Sequence, residues 1–347
     1  EFRRVLFRSS EDFPAKIQKR ISELTINVAL TISKQKESNN GEWIKIEILP
    51  SAHTIASTTN GQYYIRIADN CKPVLPDELN RLFTDKTAFV WETKVTHKVK
   101  PKDCDHHKLN KFIKDIYDSD RVSDFIKQKS TEDLLLYYQL FNGEFLTNLG
   151  ILWIGKREHR SQLLYAPVIQ FIKYDENGNK VKKILLDDYS LNPKEMIESV
   201  WHNIPDWEEG IEISDGLFRK FIANYPEEVV RELLANALVH KPYTTRGDIF
   251  INLFHNRLEV HNSGLLPLGV TTNNILHQTV KRNEHLSKIF YDLKLMEREG
   301  SGYDKMYETL LTEGKKPPKV EERNDRVIVS TEKQIKDVQI DRKSTRL

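Results

Sequence analysis

The spacing of apolar side chains gives the first outline of this chain. Ile17, Ile21, Leu24 and Val28 recur at helical spacing, so residues 11–36 are expected to be mostly helix. Glu42–Leu49 alternates, with Ile44, Ile46 and Ile48 on one face, as a half-buried strand does. Tyr63–Ile67 reads as a second strand after the Asn60-Gly61 turn, and Leu75–Phe83 as a short helix. Thr131–Asn142 is expected to be helical, and Ile151–Ile154 is a short apolar stretch ending at Gly155-Lys156. Leu163–Tyr174 and Lys180–Leu186 predict a hairpin around Asp175-Glu176-Asn177-Gly178, followed by an amphipathic helix over 192–204. Pro226 opens a helix running to about His240, with Glu227 and Glu228 in the first turn, where the helix dipole favours carboxylates. Strands at Asp248–Phe254 and Arg257–His261, a helix at Glu284–Leu293, another opened by Glu299-Gly300-Ser301-Gly302 and a closing strand at Asp325–Ser330 complete the outline.

Within the 226–240 helix the polar positions carry the interest. Val229, Val230, Leu233, Leu234, Ala237 and Leu238 make a broad apolar face, and Glu232, Asn236 and His240 interrupt it as one stripe at four-residue spacing. A solvated stripe is the ordinary explanation. Against it, Ala235, Ala237 and Val239 leave little polar surface, and asparagine is a poor helix-interior residue. Downstream, the strand ending at His261 runs into Asn262-Ser263-Gly264, with Gly269 beyond it. A glycine just past a strand lets backbone approach a ligand closely. Gly300-Ser301-Gly302 precedes a helix, whose free backbone donors suit a phosphate. The order is polar-striped helix, hairpin, glycine turn, long loop, glycine turn, helix.

That order resembles the ATPase fold shared by gyrase and histidine kinases, called GHKL. The resemblance implies ATP as ligand, with Asn236 ligating a bridging Mg²⁺ and Glu232 orienting or deprotonating the attacking water. It also implies that Gly300 and Gly302 form the second glycine box at the triphosphate. A narrower likeness is to Schlafen AlbA-type proteins carrying a divergent GHKL-like domain named after the RecG carboxy terminus. It rests on Arg231-Glu232-Leu233, Asn236–Tyr243, Asn262–Pro267, Arg282-Asn283-Glu284, Glu299–Tyr303 and, in the middle region, Leu146–Lys156. Ile44–Pro50 and Gly61–Ile67 resemble the second half of an AlbA-type domain, a nucleic-acid-binding module. No Gly-x-x-x-x-Gly-Lys-Ser/Thr loop occurs, so a P-loop motor is not expected.

One departure from the GHKL pattern concerns the base. Those enzymes hold the adenine amino group with an aspartate, and this chain has Asn262 there. Its amide oxygen can accept that hydrogen bond without charge assistance, and its extra donor equally suits a carbonyl-bearing base. Base choice and hydrolysis stay open at this point. Arg282 is a candidate phosphate ligand or a surface partner of Glu284, and His240 a dipole partner at the helix end or a packing partner of Tyr243.

Composition adds bounds. The 347 residues are 39% hydrophobic and carry a formal net charge of +2, so any nucleic-acid-binding surface must be local. Arg66 and the lysines Lys98, Lys100 and Lys102, within the basic run from Lys94 to Lys114, are the candidate phosphate contacts, with a solvated face and charged linker as the alternative. Cys104, His106 and His107 crowd together without a distant partner pair, which is not zinc-like spacing. Two cysteines and no apolar run of about 18 residues suggest a cytoplasmic protein with no membrane partner. Residues 1–10 and Asp341–Leu347 resemble translated adaptor sequence and are set aside.

The expected class is α/β (α+β). A partial AlbA-type domain spans 11–93, a basic linker and helix 94–135, a middle α/β region 136–225, and a GHKL-like helix-on-sheet sandwich 226–333, before a tail at 334–347. The function expected is that of an ATP-binding, nucleic-acid-associated regulator, working on DNA or RNA, with weak Mg²⁺-dependent ATPase activity and homodimerisation as further expectations. The rivals are a non-enzymatic DNA-binding regulator with a degenerate scaffold, and a Schlafen-like nuclease, whose acidic cluster is not evident.

Overall fold

The computed structural model describes residues 13–36, 41–49, 54–67, 70–215, 218–267, 270–272, 275, 282–297, 301–323 and 325–333. It is a mixed α and β structure in two compact units, Glu1–Val90 and Trp91–Leu347. No described helix is long and apolar enough to cross a membrane.

The first unit comprises α1 (Phe13–Leu24), β1 (Thr25–Ile26), β2 (Ala29–Lys36), β3 (Glu42–Leu49), β4 (Ser57–Thr58), β5 (Tyr64–Ile67), β6 (Asn70–Pro73) and all but the last residue of α2 (Pro76–Trp91). Its strands form three separate two-stranded ladders, β1 with β4, β2 with β3, and β5 with β6. The helix expected over 11–36 stops at Leu24, and the rest is strand. Thr25, Ile26, Thr31 and Ile32 are β-branched and stiff at χ1, which favours extended backbone, and β2 finds a full antiparallel partner in β3, with Ile32 opposite Ile46.

In the second unit, the segment expected as a basic linker and helix over 94–135 is helical in three places. It contains α3 (His106–Asp118), α4 (Asp124–Lys127) and α5 (Thr131–Tyr137). Asp105 caps α3, accepting from the backbone N–H groups of His107 and Lys108 at 3.1 and 3.2 Å. Two of its lysines engage α8 (Pro193–Asn203): Lys108 pairs with Glu195, and Lys111 with Glu198 at 3.3 Å. The apolar stretch at 151–154 belongs to α6 (Asn148–Ile154), in which every residue is buried. A helix buried all round has no polar face, so it carries no helical periodicity to read. α7 (Arg157–Gln162) follows it.

The centre of this unit is a six-stranded sheet, ordered β13-β14-β12-β11-β7-β8. Its strands are β7 (Ile169–Tyr174), β8 (Lys180–Leu186), β11 (Ile249–Leu253), β12 (Arg257–Ser263), β13 (Lys319–Arg323) and β14 (Arg326–Glu332). β7 and β11 run parallel, and the other pairs are antiparallel. The boundary expected near 225/226 therefore does not separate two sheets. Parallel neighbours need a long crossover, and residues between β7 and β11 supply it: α8, the hairpin β9 (Gly210–Asp215) and β10 (Phe218–Ala223), and α9 (Glu227–His240). α9 packs against β12 and against α8, α10 (Glu284–Asp292) and α11 (Ser301–Thr312). One continuous hydrophobic core runs through these elements from Trp91 to Leu310.

Candidate functional site

Because α9 lies on the sheet, its polar stripe faces the protein rather than bulk water. A cavity of about 1030 Å³, including its open mouth, lies between α9, β12, β14 and the start of α11. Glu232, Asn236, His240, Asn262, Gly264, Arg282 and Gly302 all line it. Leu233, Val260, Leu266, Val327 and Val329 give it apolar walls. A mostly apolar concavity with a few convergent polar groups has the usual form of a small-molecule site. Of the other expected residues, Gly269 and Gly300 lie outside the described residues. Arg66 is exposed in the first unit, and Lys98, Lys100 and Lys102 are exposed in the second.

Glu232 is only 5% exposed. Its Oε1 accepts from the Asn236 amide nitrogen at 3.1 Å, and its Oε2 from the backbone N–H of Glu297 at 3.3 Å. Burial pushes its carboxyl up to about 7, against the lowering effect of those two hydrogen bonds; the Glu297 carboxylate adds to the rise and Arg231 opposes it. A carboxyl that exchanges its proton near neutrality suits a general base. Gly302 stands directly beneath it in the first turn of α11, where an added Cβ would run into the Glu232 carboxylate. Glycine there lets the helix start approach the carboxylate closely. Gly264 is required for another reason: its φ is +84°, and an added Cβ would come within 3.1 Å of the Pro242 ring.

The far end of α9 shows what the residues around it do. The last carbonyls of a helix run short of intrahelical donors; here the Lys241 backbone N–H still reaches Ala237 O at 3.1 Å, and side chains supply further donors. Asn262 Nδ2 donates to Ala237 O at 2.9 Å, and Tyr243 Oη to Leu238 O at 3.1 Å. Asn283 Nδ2 donates to Val239 O at 2.6 Å and Lys241 O at 2.8 Å. Arg282, expected at a phosphate, donates to His240 O at 3.2 Å and Leu265 O at 2.6 Å, and is 5% exposed. It ties the glycine turn to the helix end. Nearby Lys241 is buried and donates to Gly247 O at 2.9 Å; burial lowers its ammonium to about 8.

The Asn262 amide has a defined orientation, because a carbonyl can only accept and the nitrogen must face Ala237. Its Oδ1 is left buried with no hydrogen-bond partner, and so is the Ser263 hydroxyl. A buried acceptor without a donor costs about 1–3 kcal/mol, so such an atom marks a place where a ligand or water belongs.

Three contributors were not picked out from the sequence. Asn283 stands in the sequence only as one residue of the string Arg282-Asn283-Glu284, and Glu297 acts on Glu232 through its backbone, which leaves no side-chain signature. Glu92, 1% exposed, accepts from the N–H groups of His285 and Leu286 at 3.1 and 2.7 Å and so caps α10 from far upstream. Burial raises its carboxyl to about 8.

Comparison with known proteins fits this geometry. Residues 247–330 match the family described as "Putative ATP-dependent DNA helicase recG C-terminal". This part of the chain is similar to ATPase-type domains of the GHKL kind. The match spans Asn262, Gly264, Arg282 and Gly302, and begins after α9. Among solved structures, the crystal structure of the DIP2311 protein from Corynebacterium diphtheriae is similar over 91% of this chain, at 18% identity and a TM-score of 0.60. The chain covers 61% of that protein's length, and the likeness is one of fold. A comparison with curated proteins gives no match.

Proposed function

We propose that the second unit binds ATP with Mg²⁺ in the cavity under α9. The observation that carries this reading is the unpartnered, buried Oδ1 of Asn262, a residue that lines the cavity together with Glu232, Asn236 and Gly302. With its nitrogen turned to Ala237, Asn262 has its oxygen left as an unused acceptor, which suits the exocyclic amino group of adenine. The donor set also fits a hard cation. The Asn236 nitrogen faces Glu232, leaving the amide oxygen as the atom for Mg²⁺, an oxygen ligand of the type that ion accepts. Mg²⁺ would supply charge neutralisation at the phosphates. Glu232 takes the proton of an attacking water, and Gly302 brings the N-terminal turn of α11, whose positive dipole end suits phosphates, to the cavity. Arg282 serves by fixing the turn at Gly264.

Calorimetry with ATP, GTP and Mg²⁺ on the wild type and Asn236→Ala tests this. ATP binding in preference to GTP, weakened at least about tenfold by Asn236→Ala, is expected, since one coordinating or charge-assisted contact contributes about 1.5–3 kcal/mol. A folded wild type that binds neither nucleotide overturns the reading.

We also infer that the protein is a nucleic-acid-associated regulator. The support is the AlbA-like pattern of the first unit and the exposed Lys98, Lys100 and Lys102. Electrophoretic shift of DNA and RNA across a salt series tests it, and no shift at low salt removes it.

A further inference from the structure

Met296 and Glu297 line one side of the cavity, and the stretch from Tyr291 to Glu297 that carries them is held from more than 150 residues away. Arg121, in the turn between α3 and α4, inserts its guanidinium there. Nη1 donates to Tyr291 O at 3.2 Å and to Met296 O at 2.9 Å, and Nη2 to both carboxylate oxygens of Glu297 at 3.0 and 2.9 Å. The guanidinium also lies 4.7 Å from the centre of the Tyr291 ring. Neighbouring groups hold the same stretch: the Ser119 hydroxyl donates to Asp292 O, and Tyr138 Oη donates to Asp292 Oδ2 at 2.8 Å. Lys305 Nζ of α11 adds a contact to Glu297 Oε1 at 3.1 Å. Arg121 and Glu297 are both about four-fifths buried, where a planar, many-donor cation fixes geometry as well as charge.

What this clamp positions is an N–H. The Glu297 backbone donates to Glu232 Oε2, and Asn236 holds the other carboxylate oxygen. We propose that Arg121 is the positioning residue of the site: by clamping Met296 and Glu297 it keeps the Glu297 N–H on Glu232 and fixes the direction of that carboxylate. The consequence for catalysis rests on the nucleotide-site reading above, but the clamp itself does not. Packing of the α3–α4 turn is thereby linked to the geometry of the cavity.

Two measurements on the full chain separate the two ideas. In ligand-free protein, amide hydrogen exchange resolved at Glu297 reads the clamp. Arg121→Gln is expected to speed exchange there at least about tenfold while Leu234 and Leu238 of α9 keep their protection. Arg121→Lys, which keeps the charge and loses the planar geometry, is expected to restore part of the protection. Glu297→Gln attacks the clamp from its other end and is expected to speed exchange less, because the bonds to Tyr291 and Met296 remain. Unchanged exchange at Glu297 in Arg121→Gln, or, should that variant not fold, in both Arg121→Lys and Glu297→Gln, overturns the proposal. With Mg-ATP, Arg121→Gln is expected to lower kcat about 10- to 100-fold and leave KM within about threefold, as misplacement of a reacting group does. A KM that rises with kcat unchanged overturns the positioning role. Absence of nucleotide binding by the wild type defeats the nucleotide reading, while the exchange result still decides the clamp.

Discussion

The two units contain the same kinds of pattern and reach different ends. In the first, β2 and β3 pair over eight residues each, in full register, yet no described side chain of the unit is buried. Ile46 and Ile48, on the apolar face read from the sequence, are 38% and 70% exposed. In the second, β11 and β12 pair over fewer residues, and Ile251, Leu253, Leu258 and Val260 are all buried because α9 lies across them. Alternation makes a ladder; a core needs a second layer on the ladder's apolar face. The same second layer makes the site, since it turns the Glu232–Asn236 stripe away from solvent and towards β12.

Substitutions can break or sharpen this contrast. The largest effect is expected at Trp153, 1% exposed and packed edge-on against Phe112 and Phe290. Trp153→Ala should cost about 3–5 kcal/mol in urea unfolding, whereas Ile48→Ala should stay within about 0.5 kcal/mol. Comparable costs at the two positions would mean that Ile48 is packed as tightly as Trp153 and would remove the contrast.

Next comes the pH dependence of Glu232. Its carboxyl is raised to about 7 in the fold from an ordinary 4.5. The proton is therefore held more tightly in the folded state. Full stability is present below about pH 4.5 and is lost as pH rises through 7. Relative to Glu232→Gln, the wild type should lose roughly 3 kcal/mol between pH 4 and pH 8. A gap between the two that does not change with pH would show a solvated carboxylate, as in the first unit.

Asn262→Asp introduces the aspartate of the GHKL pattern that the chain resembles, yet it sets a carboxylate oxygen against Ala237 O. It should destabilise the second unit by roughly 1–3 kcal/mol at neutral pH, less in acid where the carboxyl is protonated, measured by thermal unfolding. An unchanged midpoint would show that the hydrogen bond to α9 contributes little. The smallest stability effect is expected from the triple change of Lys98, Lys100 and Lys102 to alanine, within about 0.5 kcal/mol. If these lysines meet phosphates, the same change should make the salt dependence of nucleic-acid binding shallower, by about 0.7–0.9 in the log–log slope for each phosphate no longer neutralised.

Much of the second unit was legible. The bounds of α9 and α8 and the pairing of β7 with β8 and of β11 with β12 follow from periodicity and turn residues, since those elements are amphipathic and each signal is local. Where burial is complete or pairing is distant, the pattern is silent. α6 has no polar face to mark it, β13 and the β9–β10 hairpin were not distinguished from loop, and Thr25–Lys36 followed a helical spacing until β3 offered it a ladder.

The candidate site divides the same way. Sequence by itself determined that Glu232 and Asn236 share a stripe four residues apart, that Asn262 ends a strand and precedes a glycine turn, and that Gly302 lies at a helix start, because each statement concerns spacing along one element. Tertiary structure alone decided that the Asn262 nitrogen faces Ala237 and leaves its oxygen unpaired, that Arg282 holds the backbone of a helix end, and that Arg121 reaches Glu297 across 176 positions. The physical reason is that hydrogen-bond satisfaction in a packed interior is settled between segments distant in the chain, and residue types fix only what each segment can offer.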